Sequence, residues 1–188
     1  MAKNKIILAS KSPRRKELLE GLEIPFEIRT KEVEEVYPDD LPVKEIASFL
    51  AKLKAKPLIP TLKEGEILLT SDTVVLLKGE ILGKPKNEDE ARRMLNQLSE
   101  NVHEVITGVH MQSTEKIINF SNTTKVYFSK ITEEQINHYI EKYQPYDKAG
   151  SYGIQEWIGF VGIKRIEGCY FSVMGLPVHD VYDNYLKF

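Results

Sequence analysis

The 188-residue chain is 41% hydrophobic, carries a formal net charge of −2 and contains one cysteine, Cys169. A chain of this length can bury a substantial core without disulfides or a structural metal, so one domain over residues 1–188 is expected. The small net charge excludes a protein that binds nucleic acid or an anionic membrane through its overall charge. A single cysteine excludes an internal disulfide, which is typical of a reducing compartment.

The apolar runs of the sequence are all short. None approaches the length of a signal-peptide core or of a membrane-spanning helix. We therefore expect a cytoplasmic protein without a membrane partner.

The amino-terminal segment predicts a strand, a tight turn and a helix. Residues 6–9 form an apolar run, and Ser12 followed by Pro13 is a helix start, with a hydroxyl N-cap and proline at the first helical position. Arg14 and Arg15 then lie in the first turn, where cations oppose the helix dipole unless an anion binds in front of it. The pattern favours a phosphate site, and the alternative is a simple cap with two solvated arginines.

The next segment places a carboxylate between two apolar runs. A helix is predicted from Pro42 and carries Lys54, and strands are predicted over residues 66–70 and 73–77, with Asp72 between them. Aspartate is a poor strand former, and a buried carboxylate is costly unless it is paired, hydrogen-bonded or bound to a metal. Asp72 is therefore either a structural residue held by its hydroxyl neighbours or a base or metal ligand.

The rest of the chain continues the alternation of strands and helices. It predicts a hairpin turn at Lys78 and Gly79, a helix from Asn87, strands around residues 104–111 and 125–129, a helix from Thr132 and a helix over residues 177–188. This alternation indicates the α/β class.

Two further segments have the residue types of a nucleotide site. Lys84 lies in a turn fixed by Gly83 and Pro85, where it could be a point-charge ligand for phosphate or an ordinary exposed lysine. Residues 147–155 contain two glycines, which allow close approach of the backbone to a ligand. Gln155 ends this segment and offers a donor and an acceptor suited to a nucleobase edge, and a surface loop is the alternative.

Other chemistries have less support in the sequence. The four histidines lack metal-ligand spacing, Cys169 has no neighbour that marks it as a nucleophile, and no Walker loop or dinucleotide fingerprint is present. The acidic pair Glu34 and Glu35 could supply a metal ligand or could simply be solvated.

Taken together and in this order, the segments resemble the Maf family of nucleotide pyrophosphatases. They read ILASKSPRRKELL at 7–19, LAKLKA at 50–55, SDTVV at 71–75, LGKP at 82–85, DKAGSYGIQ at 147–155, GCY at 168–170 and VMGLP at 173–177. The resemblance implies an elongated mixed β-sheet flanked by helices, with two lobes around a central cleft, as in ITPase-like folds. It also implies a cytoplasmic, often dimeric enzyme that uses a divalent cation (Mg, Mn or Co) and cleaves between the α- and β-phosphates of a nucleoside triphosphate.

The resemblance assigns roles by motif position. Asp72 would be the general base and, with Glu35, a metal ligand, although the acidic segment departs from the commoner Asp-Glu-Ser pattern and leaves Glu34 as the alternative. The substrate-binding residues would be Ser10, Arg14, Arg15, Lys54, Thr73, Lys84 and Gln155. The four cations among them would hold the triphosphate, and Arg14, Thr73 and Gln155 would set the base preference.

Three of these motifs, SPRR at 12–15, DT at 72–73 and AGSYGIQ at 149–155, also indicate the branch of the family. They resemble the branch that acts on dTTP and UTP, so we predict hydrolysis of these or of modified pyrimidine nucleotides to the monophosphate and pyrophosphate. The alternatives are the 7-methyl-GTP branch and a non-catalytic nucleotide-binding regulator of cell division. A nucleic-acid-binding protein using the basic cluster at 11–16 is disfavoured by the acidic overall balance.

Overall fold

A computed structural model describes residues 4–188, within which seven strands form one mixed sheet. The strands are β1 (Lys5–Leu8), β2 (Phe26–Ile28), β3 (Glu66–Leu77), β4 (Glu80–Leu82), β5 (Val102–Gln112), β6 (Ile117–Phe128) and β7 (Ile163–Glu167). The helices are α1 (Pro13–Glu20), α2 (Ile46–Ala55), α3 (Glu88–Leu98), α4 (Glu133–Tyr143), α5 (Trp157–Gly162), α6 (Tyr170–Met174) and α7 (Val178–Tyr185). Short 3₁₀ turns occupy Val43–Glu45, Ile59–Thr61, Pro145–Asp147 and Ala149–Ser151. The mixed sheet and its helices confirm the predicted α/β class.

The sheet combines parallel and antiparallel pairs. Its strand order is β2-β1-β3-β5-β6-β7, and β4 pairs with β3 off this path. Strand β1 is parallel to both neighbours, with Ile6 opposite Phe26 on one side and Ile67 on the other. The β3–β4 and β6–β7 pairs are antiparallel. The predicted hairpin turn is confirmed, since Lys78 and Gly79 both have positive φ and connect β3 to β4.

The chain divides into two compact units. The first contains the chain up to Thr73 together with Thr107–Asn122 and Gly175–Phe188, and the second contains Val74–Ile106 and Thr123–Met174. The expectation of a single domain over residues 1–188 stays a prediction.

In the first unit, helix α1 begins as the sequence predicts. The Ser12 hydroxyl accepts a hydrogen bond from the Arg15 N–H at 3.5 Å, and Pro13 is the first helical residue. Buried Leu18 and Leu19 form the apolar face of this helix. A strand, a turn and a helix N-terminus therefore follow one another within residues 5–20.

Helix α2 lies very close to strand β5 in the same unit. A Cβ added to Gly108 would lie 2.4 Å from the backbone of Ala47 and Ser48, so only glycine permits this approach. The buried Thr70 hydroxyl also donates to the Ala51 carbonyl at 2.7 Å. These contacts fix the helix that carries Lys54 against the strand that carries Asp72.

The structure corrects several element boundaries. The two predicted runs around Asp72 are one continuous strand, β3, because this carboxylate has a partner and does not interrupt the ladder. Strand β6 begins at Ile117, well before the predicted residue 125, and α5, β7 and α6 lie in a stretch without strong periodicity.

Within residues 4–188, every helix is too short or too polar to reach across a lipid bilayer. The amino-terminal segment whose apolar run is too short for a signal peptide includes residues 1–3, which lie outside the described residues.

Candidate functional site

Asp72, Lys54 and Glu35 form a charged cluster in the first unit. The Lys54 ammonium donates to Asp72 Oδ1 and lies 3.0 Å from Glu35 Oε1. The Asp72 side chain is 11% exposed and that of Glu35 is 50% exposed, so the cluster runs from the strand interior to the surface. The sequence left open which of Glu34 and Glu35 faces the site, and Glu35 is the one that contacts Lys54.

A second set of contacts holds Arg15 at the start of helix α1. Its Nε donates to the Gly175 carbonyl at 2.9 Å, and its Nη2 donates to the Thr73 hydroxyl at 3.3 Å. The same Gly175 carbonyl accepts a bond from the Ser71 hydroxyl at 3.1 Å. Arg15 is therefore partly committed to fixing strand β3 and the Gly175 turn, where φ is +116°.

The environment of Arg15 joins these two sets electrostatically. Burial lowers the pKa of Arg15, while the nearby Asp72 and Glu35 carboxylates raise it and Arg14 lowers it. Even with that shift, a guanidinium stays protonated at physiological pH. The first unit thus holds a permanent cation close to two carboxylates.

The Thr73 hydroxyl is fixed from a neighbouring strand. It lies 2.9 Å from the hydroxyl of Thr107, a fully buried residue of β5, and it also receives the Arg15 bond. Thr107 is a functional-site neighbour that the sequence did not single out, whereas Ser71 and Gly175 lie in the SDTVV and VMGLP motifs without an assigned contact. Their partners lie 34 to 160 residues away along the chain, so no local pattern predicts these contacts.

The remaining first-unit candidates surround the N-terminus of α1. The Ser10 hydroxyl is nearly buried and accepts the Ser12 N–H at 3.1 Å. Arg14 is half-buried in the first turn. The structure therefore brings together, within one unit, Ser10, Arg14, Arg15, Glu35, Lys54, Asp72 and Thr73.

Lys84 and Gln155 belong to the second unit. Lys84 is exposed in the turn after β4, and the adjacent Gly83 carbonyl accepts the Gly150 N–H at 3.1 Å. Gly150 has a φ of +70°, and a Cβ there would meet Val75 at 3.1 Å. The Lys84 turn and the 147–155 segment are thus joined by backbone within this unit.

Gln155 carries an unused acceptor. Its side-chain Oε1 is buried and has no hydrogen-bond partner among residues 4–188. A buried acceptor without a donor costs free energy, and in a binding site a ligand can supply the missing donor.

The donor set of the charged cluster fits a hard divalent cation that a ligand helps to hold. Residues 4–188 contain no group of three or more His, Cys, Asp or Glu side chains able to bind a metal by themselves. The two carboxylates that flank Lys54 match the usual Mg²⁺ pattern of one or two carboxylates completed by substrate phosphates.

Comparison with known proteins gives the family. The model of the Maf-like protein family matches residues 5–187, and the chain belongs to this family. The dTTP/UTP pyrophosphatase of Parabacteroides distasonis is 47% identical over 189 residues, covering 100% of this chain and 98% of that protein. The dTTP/UTP pyrophosphatase of Phocaeicola vulgatus is 50% identical over 188 residues, covering 100% of this chain and 97% of that protein.

A solved structure of a dITP/XTP pyrophosphatase from Mycobacterium abscessus aligns at 18% identity with a TM-score of 0.44, covering 68% of this chain and 75% of that one. So distant a likeness has no bearing on function.

Proposed function

We propose that this protein hydrolyses dTTP and UTP to the nucleoside monophosphate and pyrophosphate, with Asp72 as the general base. The observation that carries the proposal is the nearly buried Asp72 carboxylate, held by Lys54 in the interior of strand β3. The full-length relatives named dTTP/UTP pyrophosphatase support the same reaction and substrates.

The proposed chemistry is one displacement at phosphorus. The oxygen of a water molecule bonds to the α-phosphorus, the bond from that phosphorus to the α–β bridging oxygen breaks, and pyrophosphate leaves. Asp72 accepts the proton of the water, and Lys54 orients its carboxylate. General-base catalysis of this kind contributes roughly 10²- to 10⁴-fold to the rate.

The cations of the site would bind the triphosphate and stabilise the charge that develops on the leaving pyrophosphate. Arg14 and Lys84 are proposed to contact the phosphates directly, together with the free donors of Arg15 and Lys54. Fixed cations contribute most where charge increases in the transition state, so their removal should lower kcat as well as affinity.

Glu35 and Asp72 are the residues proposed to hold the divalent cation. When bound, such a cation neutralises phosphate oxygens and lowers the pKa of water. Oxygen ligands accept Mg²⁺, Mn²⁺ and Co²⁺ alike, so each of the three is a candidate for this site.

Thr73 and Gln155 are proposed to read the base together with Arg14. The unpartnered Oε1 of Gln155 is an acceptor, and the N3 of uracil or thymine carries a hydrogen that can be donated to it. The N3 of cytosine is itself an acceptor, so a free glutamine oxygen favours uracil and thymine over cytosine.

Product analysis of the purified protein tests the proposal. It is incubated with dTTP, UTP, CTP, GTP and 7-methyl-GTP, with and without Mg²⁺ or Mn²⁺. Metal-dependent release of pyrophosphate from dTTP and UTP is the expected result. Orthophosphate as the product would refute the cleavage position, preference for 7-methyl-GTP would move the chain to the other branch, and no turnover by folded protein would favour the binding regulator.

We also propose that the enzyme works in the cytoplasm, forms a homodimer and does not use nucleic acid as a partner. The single cysteine and the small net charge support the first and last of these, and the family resemblance supports the dimer. Light scattering at several protein concentrations measures the assembly directly.

A further inference from the structure

The hydroxyl of Tyr139 in helix α4 joins two parts of the 147–156 segment of the second unit. We propose that Tyr139, with Glu156 and Lys148 behind it, is a positioning residue that holds Gln155 in its base-reading orientation and so sets nucleotide selectivity. The inference rests on the proposed function, because it gives Gln155 the base as its ligand.

The Tyr139 hydroxyl has two partners in a dry environment. It accepts the Gly153 N–H at 3.0 Å and donates to Glu156 Oε2, while the tyrosine itself is fully buried. Burial raises the pKa of Tyr139, and the hydrogen bond to Glu156 raises it further, so the hydroxyl keeps its proton and remains a donor. One hydrogen-bond partner is enough to satisfy a buried tyrosine hydroxyl. The second bond, from the Gly153 N–H, therefore serves to fix the backbone at Gly153.

Lys148 and Asp147 complete the far side of the network. The Lys148 ammonium lies 3.1 Å from Glu156 Oε1 and 2.7 Å from Asp147 Oδ1, and its side chain is only 9% exposed. Glu156 therefore receives Tyr139 on one oxygen and Lys148 on the other. Because both of its oxygens have a partner, the Glu156 carboxylate is held in one orientation, and it holds the Tyr139 hydroxyl in one orientation in turn.

The network reaches Gln155 through Gly153. A Cβ built on Gly153 would lie 2.8 Å from Glu156 Cδ and 3.1 Å from Gln155 Nε2, so the Gln155 amide packs directly on this glycine. The Glu156 N–H also donates to the Gly153 carbonyl at 3.0 Å. By bonding to the Gly153 N–H, Tyr139 fixes the backbone on which the Gln155 amide packs. It thereby fixes the position from which the unpartnered Gln155 Oε1 would accept a hydrogen bond from the base.

The test compares Tyr139→Phe with the matched control Tyr143→Phe. Tyr143 lies one turn further along α4, stacks on Tyr139 at 5.1 Å and loses the same single hydroxyl. The readout is the ratio of kcat/KM for dTTP to kcat/KM for dCTP. We expect this ratio to fall roughly tenfold in Tyr139→Phe, which is the effect of one buried hydrogen bond, and to stay unchanged in Tyr143→Phe.

Two results would overturn the inference. An equal fall of kcat/KM for both nucleotides would mean a merely structural role, and kcat/KM values unchanged for both would mean that the Tyr139 hydroxyl has no role at the site. A wild-type enzyme without preference for dTTP would remove the proposed substrate and the inference with it, whereas a selective wild type with a selective Tyr139→Phe variant removes the inference alone.

A second pair of variants decides the matter if Tyr139→Phe does not fold. Glu156→Gln keeps an acceptor for the Tyr139 hydroxyl, and Glu156→Ala removes it. The expected result is a near-normal dTTP to dCTP ratio for Glu156→Gln and a roughly tenfold lower ratio for Glu156→Ala. Equal ratios in the two variants would refute the role of the hydroxyl.

Discussion

The Asp72 carboxylate is the residue on which the proposed chemistry depends. Changing it to Asn keeps the volume and the contact with Lys54 but removes the proton acceptor. We expect kcat for dTTP to fall by about 10²- to 10⁴-fold with little change in the thermal midpoint. The control is Asp183→Asn at an exposed position of α7, and an active Asp72→Asn enzyme would exclude Asp72 as the base.

Lys54 can be separated from its neighbours on the same helix. In Lys54→Met the nearly buried Asp72 carboxylate loses its ion pair, and an uncompensated charge in this partly exposed site costs about 1–3 kcal/mol of unfolding free energy. Both kcat/KM and the urea midpoint should fall. Lys52→Met removes an exposed lysine of α2 and should change neither, and equal effects of the two substitutions would contradict a specific role for Lys54.

At the scale of elements, the contact of helix α2 with strand β5 positions the site. Gly108→Ala places a methyl group 2.4 Å from the backbone of α2, which must move away and carry Lys54 with it. We expect a loss of about 1–3 kcal/mol in the free energy of unfolding together with reduced turnover.

Gly21→Ala is the matched control for this substitution. Its new Cβ would meet nothing closer than 3.5 Å, and Gly21 has an ordinary helical φ of −63°. Chemical unfolding and initial rates measure both effects, and a Gly108→Ala variant as stable and active as Gly21→Ala would show that the approach of α2 to β5 is not required.

Elements with local signals could be predicted from the sequence, and those with distant partners could not. The N-caps Ser12, Asn87 and Thr132 are all confirmed, because a cap bonds to a backbone N–H only a few residues away. Strand β3 runs unbroken through Asp72 only because Lys54 is supplied from another element.

The same reasoning applies to the site. The family resemblance pointed to the charged residues of the site, and their roles stay predictions. The contacts that orient these residues could not be predicted from the sequence. Thr107, Gly175 and Tyr139 act through partners that lie far away or in a different element, and their residue types are ordinary in a core.

At the scale of the whole molecule, His103 makes stability depend on pH. Burial lowers the pKa of His103 from its ordinary 6.5 to about 3. Below pH 6.5 the imidazole of His103 therefore binds a proton in the unfolded chain, whereas in the folded protein it binds one only near pH 3. The contribution of His103 to the free energy of unfolding is therefore present above pH 6.5 and is lost as the pH falls from 6.5 toward 3. At about 1.4 kcal/mol per pH unit, the loss between pH 6.5 and 4.5 is about 2 kcal/mol.

Urea unfolding at pH 7.5, 5.5 and 4.5 measures this dependence. His103→Gln should flatten it, while His179→Gln, at a site whose side chain is 79% exposed, should leave it unchanged. A wild-type profile that is no steeper than that of His103→Gln would contradict the contribution assigned to His103.

The boundaries between the two compact units have a consequence for how such a protein can diversify. Three of the four boundaries fall inside the long strands β3, β5 and β6, and Asp72 and Thr73 stand directly before the first of them. Neither unit is a continuous cassette with linkers at its ends, so genetic recombination cannot exchange one of them without cutting strands. Point substitution within the intact frame leaves every strand whole, whereas exchange of a unit cuts three of them.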